Sequence, residues 1–433
     1  MARLKIAYIG GGSTRGAGTM ASLIEQGENF GGSEVVLVDL DAERLELIGR
    51  LARRMAAAKG VDIAVSTTTD RRAGLDGCDA ILTSYRPGGF EARVLDERIP
   101  LSHGVVGQET QGPGGFFMAL RSIHVMQGVL EDLAVASPGA RIFNYTNPVN
   151  VVAQAVTDHS DVPFVSLCEG PIVYPEEVAE AAGLDPARLD VASVGLNHGS
   201  WSVRHEYDGR DVLPLLQEAY ERRADDPSLR PQTRRMLRLA SVMGALPSEY
   251  FQYYYFEDEV LRELASKPTT RAEDILSWVP GYWEHYVEQA GSEHPELDPG
   301  RSRGGINELE LAIDCMDAVF NDRGETLPVN VPNQGTLPGF ADTLVVETLG
   351  VCDASGVRPL PMPGLPAHLR GLVEALGEYQ QAAADAAWSG DARDAVRALA
   401  AHPLVRSVDL AERLYAEMAV AHRDHLPGRL VPA

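Results

Sequence analysis

Leu4-Lys5-Ile6-Ala7-Tyr8-Ile9-Gly10-Gly11-Gly12-Ser13 is the stretch that decides the fold. Leu4 to Ile9 reads as a buried parallel strand, and the glycines end it. Gly10 and Gly12 fill the first two places of the G-x-G-x-x-G pattern, while Arg15 stands where its third glycine belongs. In such a turn glycines let the backbone approach a pyrophosphate, and helix N–H groups face its charge. Ser13 and Thr14 add hydroxyl donors, so Gly10, Gly11, Gly12, Ser13 and Thr14 are candidate dinucleotide contacts. A second strand over Glu34–Leu40 carries Asp39 near its C-terminal end. An acid there bonds the adenosine ribose diol and favours NAD over NADP.

Helices over Thr19–Gln26 and Ala42–Lys59 alternate with short strands over Asp62–Ser66 and Asp79–Ser84. This alternation predicts an α/β fold with a doubly wound parallel sheet and right-handed crossovers. Arg141–Tyr145 and Pro163–Leu167 add strands, and ligands of such sheets sit beyond the strands' carboxyl ends. After about residue 170 the pattern changes. Leu189–Leu196 and Trp201–Tyr207 read as antiparallel strands. Helices then dominate, over Pro231–Met243, Arg271–Trp278, Trp283–Gln289, Ile306–Phe320, Leu369–Ser389 and Leu410–Arg423. Pro280-Gly281 is expected to separate the second from the third, and Ser292–Arg303 reads as a surface loop. The expected division is a Rossmann-like NAD domain over 1–170 and a helix-rich α/β lobe over 171–433 for substrate, metal and oligomer contacts.

The 433 residues carry a formal net charge of −24. Such a surface repels nucleic acid and anionic membranes, and an anionic substrate then needs a local cluster of arginines. The four cysteines are widely spaced with no Cys-x-x-Cys, which argues against a disulfide scaffold or structural zinc. No run of 18 apolar residues exists, and the first apolar run is too short for a signal peptide. A reduced, cytoplasmic protein is expected.

Cys168 in Leu-Cys-Glu-Gly-Pro and His198 in Gly-Leu-Asn-His lie 30 residues apart, each after a predicted strand. A thiolate and an imidazole can hold a divalent transition metal, and two protein ligands leave room for two adjacent substrate oxygens. Beside a nicotinamide, such an ion suggests redox chemistry at a hydroxyl or carbonyl carbon. Asn147 and Asn197 are amides suited to hydroxyls. Glu109 and Gln108, in the glycine-rich run Gly104–Gly115 read as a functional loop, are candidates to bind substrate hydroxyls or a metal-bound water. Arg93 and Arg303 offer forks for an anion. The plainer readings are a small buried hydrophobe for Cys168, a structural histidine, and salt bridges for the arginines.

Several longer motifs complete the pattern. They are Arg93-x-x-Asp96-Glu97-x-Ile-Pro-Leu, Gly107-Gln-Glu-Thr-x-Gly-Pro-Gly-Gly115, Thr146-Asn-Pro148 and Pro247-Ser-Glu-Tyr250. Arg303-Gly-Gly305, Asn330-Val-Pro-Asn333-Gln-Gly335 and His402-Pro-Leu404 follow. Together they resemble glycoside hydrolase family 4, the NAD- and divalent-metal-dependent glycosidases, almost end to end, with the 6-phospho-β-glucosidase branch most similar. The resemblance implies that Cys168 and His198 hold manganese or a similar ion. It implies oxidation of the sugar at C3 by NAD, loss of the C2 proton, elimination of the aglycone from C1, addition of water and return of the hydride. Tyr250 becomes the candidate C2 base, and Glu169 a candidate to protonate the leaving group or steady the metal, or else only a helix N-terminal charge. Tyr253, Tyr254 and Tyr255 are expected to pack. A homodimer or homotetramer is implied.

The chain departs from that branch at Glu169-Gly170-Pro171, Gly199-Ser200-Trp201 and Ile306-Asn307-Glu308. Three substrates therefore stay open: a 6-phospho-β-glucoside, a glycoside with another acidic group such as a C6 sulfonate (a sulfoquinovoside), or a neutral glycoside. From other classes, a 2-hydroxy-acid dehydrogenase gives Cys168 no role, and a non-catalytic NAD or sugar sensor needs lost ligands.

Overall fold

The computed structural model describes residues 1–303 and 309–432. Gly304, Gly305, Ile306, Asn307 and Glu308 lie outside the described residues, so the expected start of a helix at Ile306 and the placing of Glu308 do too.

Among the described residues, twelve strands form one sheet. They are β1 (Lys5–Ile9), β2 (Ser33–Val38), β3 (Ile63–Thr68), β4 (Ala80–Thr83), β5 (Arg141–Asn144) and β6 (Phe164–Ser166). Then come β7 (Leu189–Leu196), β8 (Gly199–Tyr207), β9 (Arg210–Asp211), β10 (Glu325–Pro332), β11 (Val345–Asp353) and β12 (Gly356–Pro359). The order is β3-β2-β1-β4-β5-β6-β10-β11-β7-β8-β9, with β12 beside β11. Pairing is parallel from β3 to β6 and antiparallel beyond it. The expected division at residue 170 therefore falls between strands of one continuous sheet. Its faces are closed by helices such as Gly16–Glu25 and Ala42–Lys59 on one side and Gly112–Ala136 on the other.

A row of polar residues crosses this sheet in register. Thr83 stands opposite Asn144, Asn144 opposite Ser166, Ser166 opposite Asn330, and Asn330 opposite Glu347. Glu347 then faces Gly195, which faces Ser200. All six side chains are buried, which is costly unless they bond one another. Thr83 Oγ1 donates to Asn144 Oδ1 at 2.7 Å, Asn144 Nδ2 to Ser166 Oγ at 2.8 Å, and Ser200 Oγ to Glu347 Oε2 at 2.8 Å.

The first helix starts at Gly16, earlier than expected. A Cβ there would lie 2.2 Å from the carbonyl oxygen of Gly11. Gly16 thus does the close-packing work of the third motif glycine, one place later than the pattern puts it. Pro280-Gly281 does not break the chain: one helix runs over Arg271–Gly291. Proline costs a helix interior about 3 kcal/mol. This helix offsets that by a Thr270–Glu273 capping box and by burying Ala272, Ile275, Tyr286 and Ala290. The supposed loop Gly104–Gly115 ends early, because Gly112 opens the long helix with Pro113 in its first turn. Helices over Gly89–Ser102, Val149–His159 and Gly170–Ala182 were not read from the sequence.

Gly16→Ala should lower the thermal midpoint by an amount equivalent to about 1–3 kcal/mol, since the added methyl overpacks a backbone contact. Gly31→Ala is the control, because its Cβ would meet nothing within 4 Å. Equal midpoints for the two variants would contradict this packing role.

Candidate active site

The glycine turn lines a cleft of about 590 Å³ at the carboxyl ends of β1, β2 and β4. Gly10 has φ +96°, and a Cβ on it would lie 2.1 Å from the Ser84 carbonyl oxygen. Gly10 and Gly11 donate their N–H groups to Val38 O at 2.9 and 3.3 Å. Tyr286 Oη donates to Thr14 O at 2.7 Å, so the long second-lobe helix clamps the turn. Asp39 Oδ2 accepts from Gly12 N at 2.9 Å, and Oδ1 from Leu40 N at 2.7 Å. Burial pushes the Asp39 carboxyl up against these two donors. Asp39 lines the cleft, and so do Ser13, Thr14 and Asn147. Ser13 Oγ and Asn147 Oδ1 are buried without a partner. Orphaned buried acceptors and donors are rare unless a ligand meets them. The turn, the cleft and these atoms fit a dinucleotide.

Cys168 lies two residues beyond β6, and His198 in the two-residue turn between β7 and β8. His198 has φ +62°, a left-handed conformation that swings its ring off the hairpin. Its Nε2 lies 3.8 Å from Cys168 Sγ. Metal bonds of roughly 2.0–2.3 Å to each atom sum to more than that separation, so one ion can bond both. Burial lowers the His198 pKa to about 3, which keeps the ring neutral and fit to ligate. Burial, then Glu347 and Glu169, push the Cys168 thiol up to about 12. A thiolate there therefore calls for a cation. Among the described residues no cluster of three His, Cys, Asp or Glu forms around a metal position.

Asn197 takes a different place from that of a simple hydroxyl binder. Its Nδ2 donates to Glu347 Oε1 at 2.9 Å, and its side chain also hydrogen-bonds Cys168. Its Oδ1 is buried without a partner. Glu347 also accepts from Ser200 and Asn330, and burial pushes its carboxyl up to about 7 against these donors. Asn197 thus favours the Cys168 thiolate by its hydrogen bond, while the charge of Glu347 beside it opposes that form.

Glu109 does not stand as an unengaged hydroxyl binder. Its carboxylate pairs with Arg86, and with Arg93 Nη1 at 2.8 Å. Arg93 in turn donates Nε to Glu97 Oε1 at 2.7 Å, so its role is an ion-pair network rather than an uncommitted anion fork. Burial raises the Glu109 carboxyl, but Arg86, Arg93, Arg303 and Arg15 together outweigh it and hold the pKa at about 2. Arg303 stacks over the Phe90 ring at 4.2 Å. Burial, then Arg15 and Arg86, lower its pKa to about 9. Four guanidinium groups around Glu109 leave this corner of the cleft receptive to an anion.

Tyr250 stacks on His198, with ring centroids 3.7 Å apart and planes 8° from parallel. Burial pushes its phenol well above the ordinary range, and Glu249, Tyr253, Cys168 and Glu109 add to that. A phenolate at this position needs a cation beside it. Glu169 accepts from Tyr145 Oη at 2.5 Å at the start of helix Gly170–Ala182. Tyr254 Oη donates to Gln111 Oε1 at 2.5 Å, and Tyr255 packs on Trp201 and Phe251. Tyr253 lies 6.0 Å from Tyr250 between ring centroids.

Sequence reasoning passed over Arg15, Arg86 and Glu347. Arg86 follows the end of β4, where ligands of such sheets gather. Glu347 is the one acid in Val345-Val346-Glu347-Thr348-Leu349, and a charge inside so apolar a strand was the available signal.

The Glu109 pKa depression stabilises the folded chain above the ordinary carboxylate pKa of about 4.5 and is lost as pH falls toward about 2. The shift corresponds to on the order of 3 kcal/mol. Glu109→Gln should therefore unfold at lower temperature than the parent at pH 7, and the gap should narrow between pH 4.5 and 3. A gap independent of pH would contradict the ion-pair account.

Profiles of known families bear on this site. The family 4 glycosyl hydrolase profile matches residues 5–184, and that of the family 4 glycosyl hydrolase C-terminal domain matches residues 193–405. A "probable 6-phospho-beta-glucosidase" of Bacillus subtilis is 33% identical, covering 98% of this chain and 97% of its own. Among solved structures, a 6-phospho-alpha-glucosidase from gut microorganisms in complex with NAD and Mn2+ superposes with a TM-score of 0.86 at 24% identity, covering 98% of this chain and 99% of that one. A 6-phospho-beta glucosidase from Thermotoga maritima with NAD and glucose-6-phosphate gives the same score, identity and coverage. These two share the fold. With both profiles matched across most of its length, the glycine turn, the thiolate–imidazole pair and the helix-rich second lobe belong to a member of glycosyl hydrolase family 4.

Proposed function

We propose that this chain hydrolyses 6-phosphoglycosides, the β-glucoside foremost, using NAD and a divalent metal such as manganese in a cycle with no net redox change. The observation that carries the reading is the 3.8 Å approach of Cys168 and His198, joined to the dinucleotide cleft through Glu169 and the cleft-lining Tyr145. Relatives named as 6-phospho-glucosidases support the substrate class.

Bound NAD supplies reversible hydride exchange at sugar C3, and the bound ion polarises the adjacent O2 and O3. The remaining work falls to side chains. Cys168 and His198 hold the ion through Sγ and Nε2. Asn197 Oδ1 and Asn147 Oδ1, both buried without protein partners, accept from sugar hydroxyls. Tyr250 takes the proton from C2, its ring fixed by stacking on His198. Glu169, which accepts from Tyr145 Oη, hands a proton to the leaving oxygen. Arg303 meets the phosphate, with Arg86 and Arg15 adding positive potential; Arg93 acts through Glu109. Gly10, Gly11, Gly12, Ser13, Thr14 and Asp39 seat the dinucleotide. The reading divides the work between residues 1–170 and 171–433, and places the enzyme in the cytoplasm as a homodimer or homotetramer. No helix of the described residues is long and apolar enough to cross a membrane.

The test is p-nitrophenol release from the β-glucoside, its 6-phosphate and its C6 sulfonate, with NAD and manganese each present or omitted. Turnover of the phosphate alone, dependent on both additives, is expected. Arg303→Ala should then raise KM for the phosphate by about 100-fold, the value of roughly 3 kcal/mol for a charged hydrogen bond. Turnover of the sulfonate or the neutral sugar instead would overturn the phosphate assignment.

A further inference from the structure

The turn that carries Glu109 also reaches the imidazole. Gln108 Oε1 accepts the backbone N–H groups of Thr110 at 2.5 Å and Gln111 at 2.8 Å. Two N–H donors fix which end of the Gln108 amide is oxygen. Thr110 Oγ1 lies 2.9 Å from that same oxygen. Gln108 Oε1 has no proton to give, so the single proton of the Thr110 hydroxyl lies between them. On its other side Thr110 Oγ1 is 3.1 Å from His198 Nδ1. Donating to Gln108, the hydroxyl leaves its oxygen to accept from His198 Nδ1. His198 Nδ1 must then carry the ring proton, and Nε2 presents its lone pair toward Cys168, 3.8 Å away. All of this is enclosed: Thr110 is 8% and His198 7% exposed, so water does not supply an alternative partner freely.

We propose that Gln108 and Thr110 are positioning residues that select the tautomer of His198, through the relay Gln108 Oε1, Thr110 Oγ1, His198 Nδ1–H. The inference rests on the reading of Cys168 and His198 as the metal pair, but the tautomer can be measured without metal. An orienting partner on the far nitrogen of a ligating histidine typically contributes roughly 10–100-fold in metal affinity. The relay is set by Gln108 and Thr110 of the motif Gly-Gln-Glu-Thr, so that motif serves two sites at once. Glu109 gathers the arginines, while its neighbours on either side aim the imidazole.

Two measurements test it. Long-range nitrogen–proton NMR on histidine-labelled, metal-free protein should show His198 protonated at Nδ1. Titration with manganese(II) alone should give a dissociation constant that rises roughly 10–100-fold in Thr110→Val and returns near the parent value in Thr110→Ser. NAD binding should be unchanged in both variants, which separates a lost relay from a misfolded turn. A parent His198 protonated at Nε2, or a Thr110→Val variant that binds manganese as the parent does, would overturn the proposal. A parent chain that binds no manganese yet shows Nδ1–H would instead overturn the metal-pair reading and leave the relay standing.

Discussion

Glu347 sits in the antiparallel half of the sheet, and a buried carboxylate there needs donors around it. Asn197, Ser200 and Asn330 supply them. Asn330 belongs to β10, which joins the antiparallel strands to β6, and the row continues through Ser166 and Asn144 to Thr83. Removing one member would leave a buried polar group without a partner, at about 1–3 kcal/mol for each. The constraint also fixes register, since a slip by one residue would turn the whole row to the opposite face. Through it the strand beside the glycine turn and the hairpin bearing His198 are held in one frame.

That frame explains why the site can be so sparse in protein ligands. Cys168 and His198 come from opposite sides of two intervening strands and meet only because the β7–β8 turn folds back through a left-handed His198. Their neighbours are acids: Glu347 and Glu169 press the thiol toward its neutral form. A cation reverses that balance, and two ligands leave positions for substrate oxygens. Across the cleft the charge sign inverts. Arg15, Arg86, Arg93 and Arg303 crowd around Glu109, so a chain of net charge −24 keeps a local seat for an anion. In the proposed function these two corners would orient a sugar between the dinucleotide and the ion.

Much of this was legible in the sequence because it is local. Leu4–Ser13 announces its strand and turn, and Asp39 ends its strand as the pattern requires. Cys168 and His198 stood out by residue type and by following strands. What escaped depended on tertiary context. Pro280 stays helical because the flanking residues bury enough surface and a capping box starts the helix. Gly16 replaces the motif's third glycine because the contact with Gly11 O, not the spacing, is what demands it. Arg93 looked like a free fork, but Glu97 four residues on and Glu109 across the turn engage it. Glu347 is 150 residues from Asn197, and only the sheet brings them together.

In the proposed cycle, bond cleavage at C1 follows loss of the C2 proton to Tyr250. The most direct measurement is turnover of the 6-phospho-β-glucoside in D2O with NAD and manganese, followed by NMR of the sugar product. The account predicts deuterium at C2 of the product. Product that keeps its original hydrogen at C2 throughout would contradict it and point to direct displacement at C1.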